Sequence, residues 1–247
     1  MTRDEARAAA SCVSLADMSS LVLLHGLGAT GRVWDGCAQP RVAPDLPGHG
    51  RAGALARYTF ETMAAGVAER LPVRRGLVVV GHSLGGVIAL ELASGRYGVQ
   101  VDRVIALGVK VSWTDDELAK AAALAQKPVA WFDSRDEAAA RYLKVSGLQG
   151  LVDPADDSLD DGLMEVDGHW RLAMDPATFG VGAPKMAELI AASQADVVLA
   201  RGELDPMNTD AELAALHDQV VTLPGLGHSA HVQDPSVGRL LSMNVSP

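Results

Sequence analysis

Gly81-His82-Ser83-Leu84-Gly85 follows directly on the apolar run Leu77-Val78-Val79-Val80, and no other stretch constrains this chain as much. The apolar run is a buried strand. The glycines on either side of Ser83 let the backbone reverse sharply into a helix that starts at Leu84, because bulk at those two places would block the turn. A serine held on such a strand-to-helix corner projects its hydroxyl above the sheet, where an imidazole can take its proton.

The rest of the chain supplies the sheet that this corner needs. Apolar runs at 21–24 and 197–200, Val101–Leu107 and Val220–Leu223 read as strands, and Pro40 and Pro44 bracket a further one at 41–43. Thr59 is placed to cap a helix with apolar positions Phe60, Met63, Ala64, Val67 and Leu71, ending before Pro72. Helices are also expected at 84–93, stopped by Gly95, and at 235–243. Apolar strands alternating with helices predict an α/β fold: a mostly parallel central sheet with helices on both faces. At 247 residues and 48% hydrophobic content, the chain is long enough for one such domain.

The pattern changes over 110–184, where charged, alanine-rich helical stretches (116–126, 136–144) alternate with acidic turns such as Asp153-Pro154-Ala155-Asp156-Asp157. This span is expected to be an inserted helical lid, or cap, on a core formed by 1–109 and 185–247. Its aromatic and methionine residues mostly suit a lid interior; Trp113 and Trp131 are the expected substrate contacts in a largely apolar pocket.

A serine nucleophile needs a base, and the base needs a carboxylate to fix its tautomer and stabilise the imidazolium. The strand at 197–200 is followed by Arg201-Gly202-Glu203-Leu204-Asp205, and Val220–Leu223 by Pro224-Gly225-Leu226-Gly227-His228. His228 is thereby the candidate base, and either Glu203 or Asp205 supplies a carboxylate. The oxyanion that forms during attack needs N–H donors. The Leu84 amide at the helix start is one candidate, and the Leu27 amide in the loop His25-Gly26-Leu27-Gly28 is the other. His25 and His82 flank these loops and suit orienting the backbone; His49 and His231 read as loop histidines.

Other readings are weighed on the same residues. Gly26-Leu27-Gly28-Ala29-Thr30-Gly31 after a strand, with Asp45 further on, resembles a dinucleotide-binding loop. Gly36 and Pro40 would spoil a crossover helix between that loop and Asp45, and no tyrosine has a lysine at the fourth place after it, so an oxidoreductase is disfavoured. A net charge of -10 argues against nucleic acid or an anionic membrane as partner. Cys12 and Cys37 make neither a disulfide framework nor a zinc site, and His228 with His231 lacks a third ligand, so no metal is expected. The acidic N-terminus lacks the apolar core of a secretory leader, and no apolar run is long enough to span a bilayer, which makes a cytoplasmic location the expectation.

Taken together, the motifs His25-Gly26-Leu27-Gly28 with Trp34, Pro44-Asp45-Leu46-Pro47-Gly48-His49-Gly50, Gly81-His82-Ser83-Leu84-Gly85-Gly86, Gly202 with Asp205, and Gly227-His228 resemble those of α/β-hydrolase-fold serine hydrolases. The resemblance implies Ser83 as nucleophile, His228 as base, Asp205 rather than Glu203 as acid, and a cap over the site. It implies hydrolysis of esters, lactones, thioesters or carbon–carbon bonds without a cofactor, on a small-molecule substrate, and leaves oligomeric state open. The reaction favoured is cleavage of a small to medium carboxylic ester or lactone through an acyl-enzyme. Use of the triad as a base for elimination or carbon–carbon cleavage ranks second, and a non-catalytic ligand receptor third. Serine at 83, where an aspartate nucleophile would be needed, disfavours dehalogenase or epoxide hydrolase chemistry. The segment before Leu21 is short for the hairpin that usually opens such a sheet.

Overall fold

The structure, a computed structural model, describes residues 20–37 and 41–237. Its centre is a six-stranded sheet of β1 (Ser20–Leu24), β2 (Arg41–Val42), β3 (Leu77–His82), β4 (Val101–Leu107), β7 (Asp196–Gly202) and β8 (Val220–Leu223). The order is β2-β1-β3-β4-β7-β8, and every pairing is parallel. Between them lie α1 (Phe60–Arg70), α2 (Leu84–Leu92), α5 (Met186–Ala192) and α6 (Asp210–Ala214), and α7 (Ala230–Gln233) follows β8.

The apolar strand runs follow from burial on both faces. Successive strand residues point to opposite sides. Val22, Leu24, Val197 and Leu199 face one core with Met63, Ile88 and Met186 from α1, α2 and α5. Leu23, Val198 and Ala200 face the other, with Trp34, Ala230 and Val237. Helix α1 starts where its sequence says it should: the Thr59 side chain accepts from the Thr62 amide, and the Thr62 hydroxyl accepts from the Thr59 amide. The expected final helix at 235–243 lies largely outside the described residues, as does the short segment before Leu21. Among the described residues no helix is long and apolar enough to cross a membrane.

Residues 110–184, between β4 and α5, hold α3 (Asp115–Ala125), α4 (Arg135–Ser146) and an antiparallel pair, β5 (Leu163–Val166) with β6 (His169–Leu172). The two helices match the expected helical stretches, and the hairpin is an addition to them. Its cause is local: Asp167 and Gly168 take φ of 51° and 80°, the left-handed pair that a tight two-residue hairpin turn demands. Phe132 extends the hairpin by exchanging two backbone hydrogen bonds of 2.8 Å with Trp170. Ala138, Tyr142, Leu143, Leu159 and Leu163 bury a small core within the insertion.

Candidate active site

Ser83 stands alone between β3 and α2, at φ 50° and ψ −115°. A positive φ at a non-glycine residue costs on the order of 1–3 kcal/mol. The surroundings hold it there: the Ser83 amide donates to the Leu107 carbonyl (2.8 Å), and the Ser83 carbonyl accepts from the Gly86 amide (3.0 Å). The flanking glycines are dictated by space. A Cβ at Gly81 would lie 2.1 Å from the Gly85 carbonyl oxygen, and one at Gly85 would lie 2.5 Å from that of Leu24.

The loops after β7 and β8 bring Asp205 and His228 together. His228 Nδ1 donates to Asp205 Oδ2 at 3.0 Å, and the Asp205 side chain is fully buried. Its other oxygen accepts from the Met207 amide (2.9 Å), and Arg201 Nη2 donates to the Asp205 carbonyl (3.0 Å). Arg201 and Met207 were not singled out from sequence, because neither contact has a local pattern. Glu203 is occupied elsewhere, accepting from the Gly225 amide (2.8 Å). Of the two carboxylates, Asp205 is the one at the imidazole. With the Nδ1 proton on the carboxylate side, Nε2 is left as the acceptor.

Ser83 and His228 line one cavity of about 800 Å³, together with Leu27 and Leu84. The Ser83 hydroxyl makes no hydrogen bond among the described residues, so its contact with the imidazole is not closed in this structure. Contacts of this kind are often long without substrate and tighten when it binds. The Leu84 amide opens α2, and the loop after β1 lies alongside: a Cβ at Gly26 would sit 3.5 Å from that of Ser83. Of the two tryptophans expected at substrate, Trp113 lines the cavity. Trp131 is corrected: it is 51% exposed, lies with its ring 5.8 Å from the Arg171 guanidinium, and is not among the lining residues. The glycine loop at 26–31 leads into a short 3-10 helix, Gly31–Trp34, and Asp45 accepts from the Gly31 (2.8 Å) and Arg51 (2.9 Å) amides. Asp45 therefore braces loops.

His25 and His82 orient backbone, as expected. His25 accepts from the Leu46 amide at Nε2 and donates to the Gly26 carbonyl at Nδ1, both at 2.8 Å. His82 Nε2 donates to the His228 carbonyl at 3.1 Å, tying the histidine loop to the serine corner. His49 lies in a loop as expected, whereas His231 lies in α7, and both are buried, at 1% and 2% exposure. The His231 ring is 4.2 Å from Trp34 and 4.4 Å from His82, centroid to centroid. Burial lowers the pKa of His25 to about 4 and of His49 and His231 to about 3, and takes that of His82 well below its ordinary value.

These shifts set a pH dependence of stability. The unfolded chain protonates its histidines as pH falls through about 6.5, while the folded protein keeps these four neutral. Stability is therefore complete above pH 6.5 and is lost as pH falls towards the folded values; His25 alone accounts for roughly 3 kcal/mol by pH 4. The thermal midpoint should fall steadily between pH 6.5 and 5, above the range where carboxylates titrate. A flat midpoint across that interval would contradict the assignment.

A family model described as "Alpha/beta hydrolase family" matches residues 21–237. The lipase LipV of Mycobacterium tuberculosis is 32% identical over 167 residues, 62% of either chain. The pimeloyl-[acyl-carrier protein] methyl ester esterase of Klebsiella pneumoniae is 42% identical over 83 residues, 31% of either chain. The alignments thus span less than two thirds of these relatives. Among solved structures, E-2-(acetamidomethylene)succinate hydrolase superposes with a TM-score of 0.72 at 20% identity, covering 91% of this chain and 90% of its own, a likeness of fold.

Proposed function

Because the chain belongs to the alpha/beta hydrolase family, we propose that it is a serine hydrolase of small to medium carboxylic esters or lactones. The observation that carries this reading is the buried Asp205 carboxylate bonded at 3.0 Å to a His228 ring that shares one cavity with Ser83. The lipase and methyl ester esterase relatives support ester chemistry. Residues 110–184 serve as the lid over the core, with the apolar part of the substrate beneath it and Trp113 among its contacts.

In the proposed cycle His228 Nε2 takes the Ser83 proton as the serine oxygen attacks the carbonyl carbon. The Leu27 and Leu84 amides donate to the oxyanion of the tetrahedral intermediate. Asp205 stabilises the imidazolium, which then gives its proton to the departing alcohol and leaves the acyl group on Ser83. Water, activated by His228, attacks the acyl carbon and frees the acid. Every proton moves between His228 and the reacting oxygens, so the cycle calls on no cofactor.

A panel of chromogenic esters with acyl chains of increasing length tests the reading. Saturable hydrolysis is expected, with kcat/KM rising with chain length until the cavity is filled. Inertness towards the entire panel by correctly folded protein would overturn it.

A further inference from the structure

Lysine is scarce here: of 21 basic residues only five are lysine, at positions 110, 120, 127, 144 and 185. Three of those five, Lys110, Lys120 and Lys144, line the cavity that holds Ser83, with no arginine beside them. Of the 31 carboxylates in the chain, one lines it, Glu117. That one is spent on Lys110, with which it forms an ion pair. Lys120 on α3 and Lys144 in the last turn of α4 have no hydrogen-bonding or ionic partner among the described residues.

The three lysines arrive from separate segments, so no single charged helix face brings them together. Lys144 precedes Val145, whose side chain packs against the loop that carries Leu27: a Cβ at Gly28 would lie 2.6 Å from Val145 Cγ1. Lys120 shares a face of α3 with Glu117, Ala121 and Leu124, spaced at three, four and seven residues, and all four line the cavity. Apart from Glu117, Ser146 and the cluster of His82, Ser83 and His228, the lining is mostly apolar. A chain of net charge -10 thus places two lysines without an ionic partner among the described residues along one largely apolar cavity. Both side chains line the cavity while remaining exposed to solvent, so a ligand charge can meet them without their losing hydration.

We propose that Lys120 and Lys144 form a binding site for an anionic group of the substrate, an ester whose acyl chain carries a carboxylate remote from the scissile bond. This rests on the hydrolase reading above and specifies its substrate class. The apolar wall takes the methylene chain, and the lysines meet the charge at its far end. Lysine suits a carboxylate that keeps part of its hydration, since an ammonium is a compact, strongly hydrated charge on a flexible stem.

The test compares two 4-nitrophenyl esters of equal chain length, the adipate monoester and the hexanoate, and reads the ratio of their kcat/KM values. Wild type should favour the anionic ester about tenfold, which is about 1.4 kcal/mol, and the preference should shrink as potassium chloride is added. The double variant Lys120→Gln/Lys144→Gln should bring the ratio close to one. Lys127→Gln, outside this cavity, should leave it as in wild type. A wild-type ratio at or below one, or a ratio untouched by the double substitution, would overturn the proposal. Calorimetric binding of adipate separates the two readings because it needs no turnover. Lysine-dependent binding without cleavage of either ester would keep the anion site and remove the hydrolase assignment. Cleavage of both esters at similar rates with no adipate binding would do the reverse.

Discussion

Replacement of Ser83 by alanine is expected to lower kcat on every substrate ester by at least three orders of magnitude and to leave the thermal midpoint nearly unchanged. The size follows from the role: without the hydroxyl no acyl-enzyme forms, and only oxyanion donors and binding remain, which elsewhere leave about 10³–10⁴-fold over water. The small effect on stability follows from the surroundings. The Ser83 hydroxyl makes no hydrogen bond among the described residues, and alanine keeps the Cβ that the turn already accommodates. Kinetics and a melting curve on the same preparation check both halves. A variant that retains wild-type turnover would remove Ser83 from the chemistry.

Asp205→Asn should be nearly as damaging, by about 10⁴-fold in kcat at neutral pH, although the side chain keeps its shape. The Met207 amide fixes one carboxylate oxygen as an acceptor, and His228 Nδ1 lies 3.0 Å from the other. Asparagine can satisfy Met207 with its carbonyl oxygen, but then it turns an NH₂ donor towards Nδ1. That favours the tautomer with its proton on Nε2, where a base is needed. Glu203→Gln is the control, since Glu203 serves the Gly225 amide and not the imidazole. Its kcat should stay within a few-fold of wild type. Equal losses in the two variants would contradict the choice of acid.

Much of the fold was legible because its determinants are local. Proline brackets, the Thr59 cap and uninterrupted apolar runs mark the strands and α1 within one or two residues. The hairpin at 163–172 carries a local signal in Asp167-Gly168, but its strands are only four residues long and the alanine-rich stretches before them dominate the pattern of 110–184. His228 and the carboxylate pair Glu203/Asp205 could be singled out as candidates by their position after strands. The fates of Glu203 and Asp205 could not be separated that way, because two carboxylates two residues apart differ only in how the loop turns. Burial of His49 and His231 depends on contacts between distant segments, such as Trp34 against His231, which no periodicity encodes. The same holds for Trp113 and Trp131: both are aromatic residues in one insertion, and only tertiary packing tells the cavity wall from the outer surface. The lysines of the cavity left a faint trace in the helical spacing of Glu117, Lys120, Ala121 and Leu124, but Lys144 joins them only through packing of α4.

The account stands on a hydroxyl at position 83 that becomes covalently acylated during turnover. Rapid acid quench of enzyme mixed with a slowly hydrolysed nitrophenyl ester, followed by intact mass and peptide mapping, reads this directly. The expected result is a mass gain equal to one acyl group, located on Ser83, formed as fast as the nitrophenol burst and absent from the alanine variant. Steady turnover with unmodified Ser83 at every quench time, under conditions where deacylation is rate-limiting for a known serine esterase run alongside, would contradict it and favour a triad that acts only as a base.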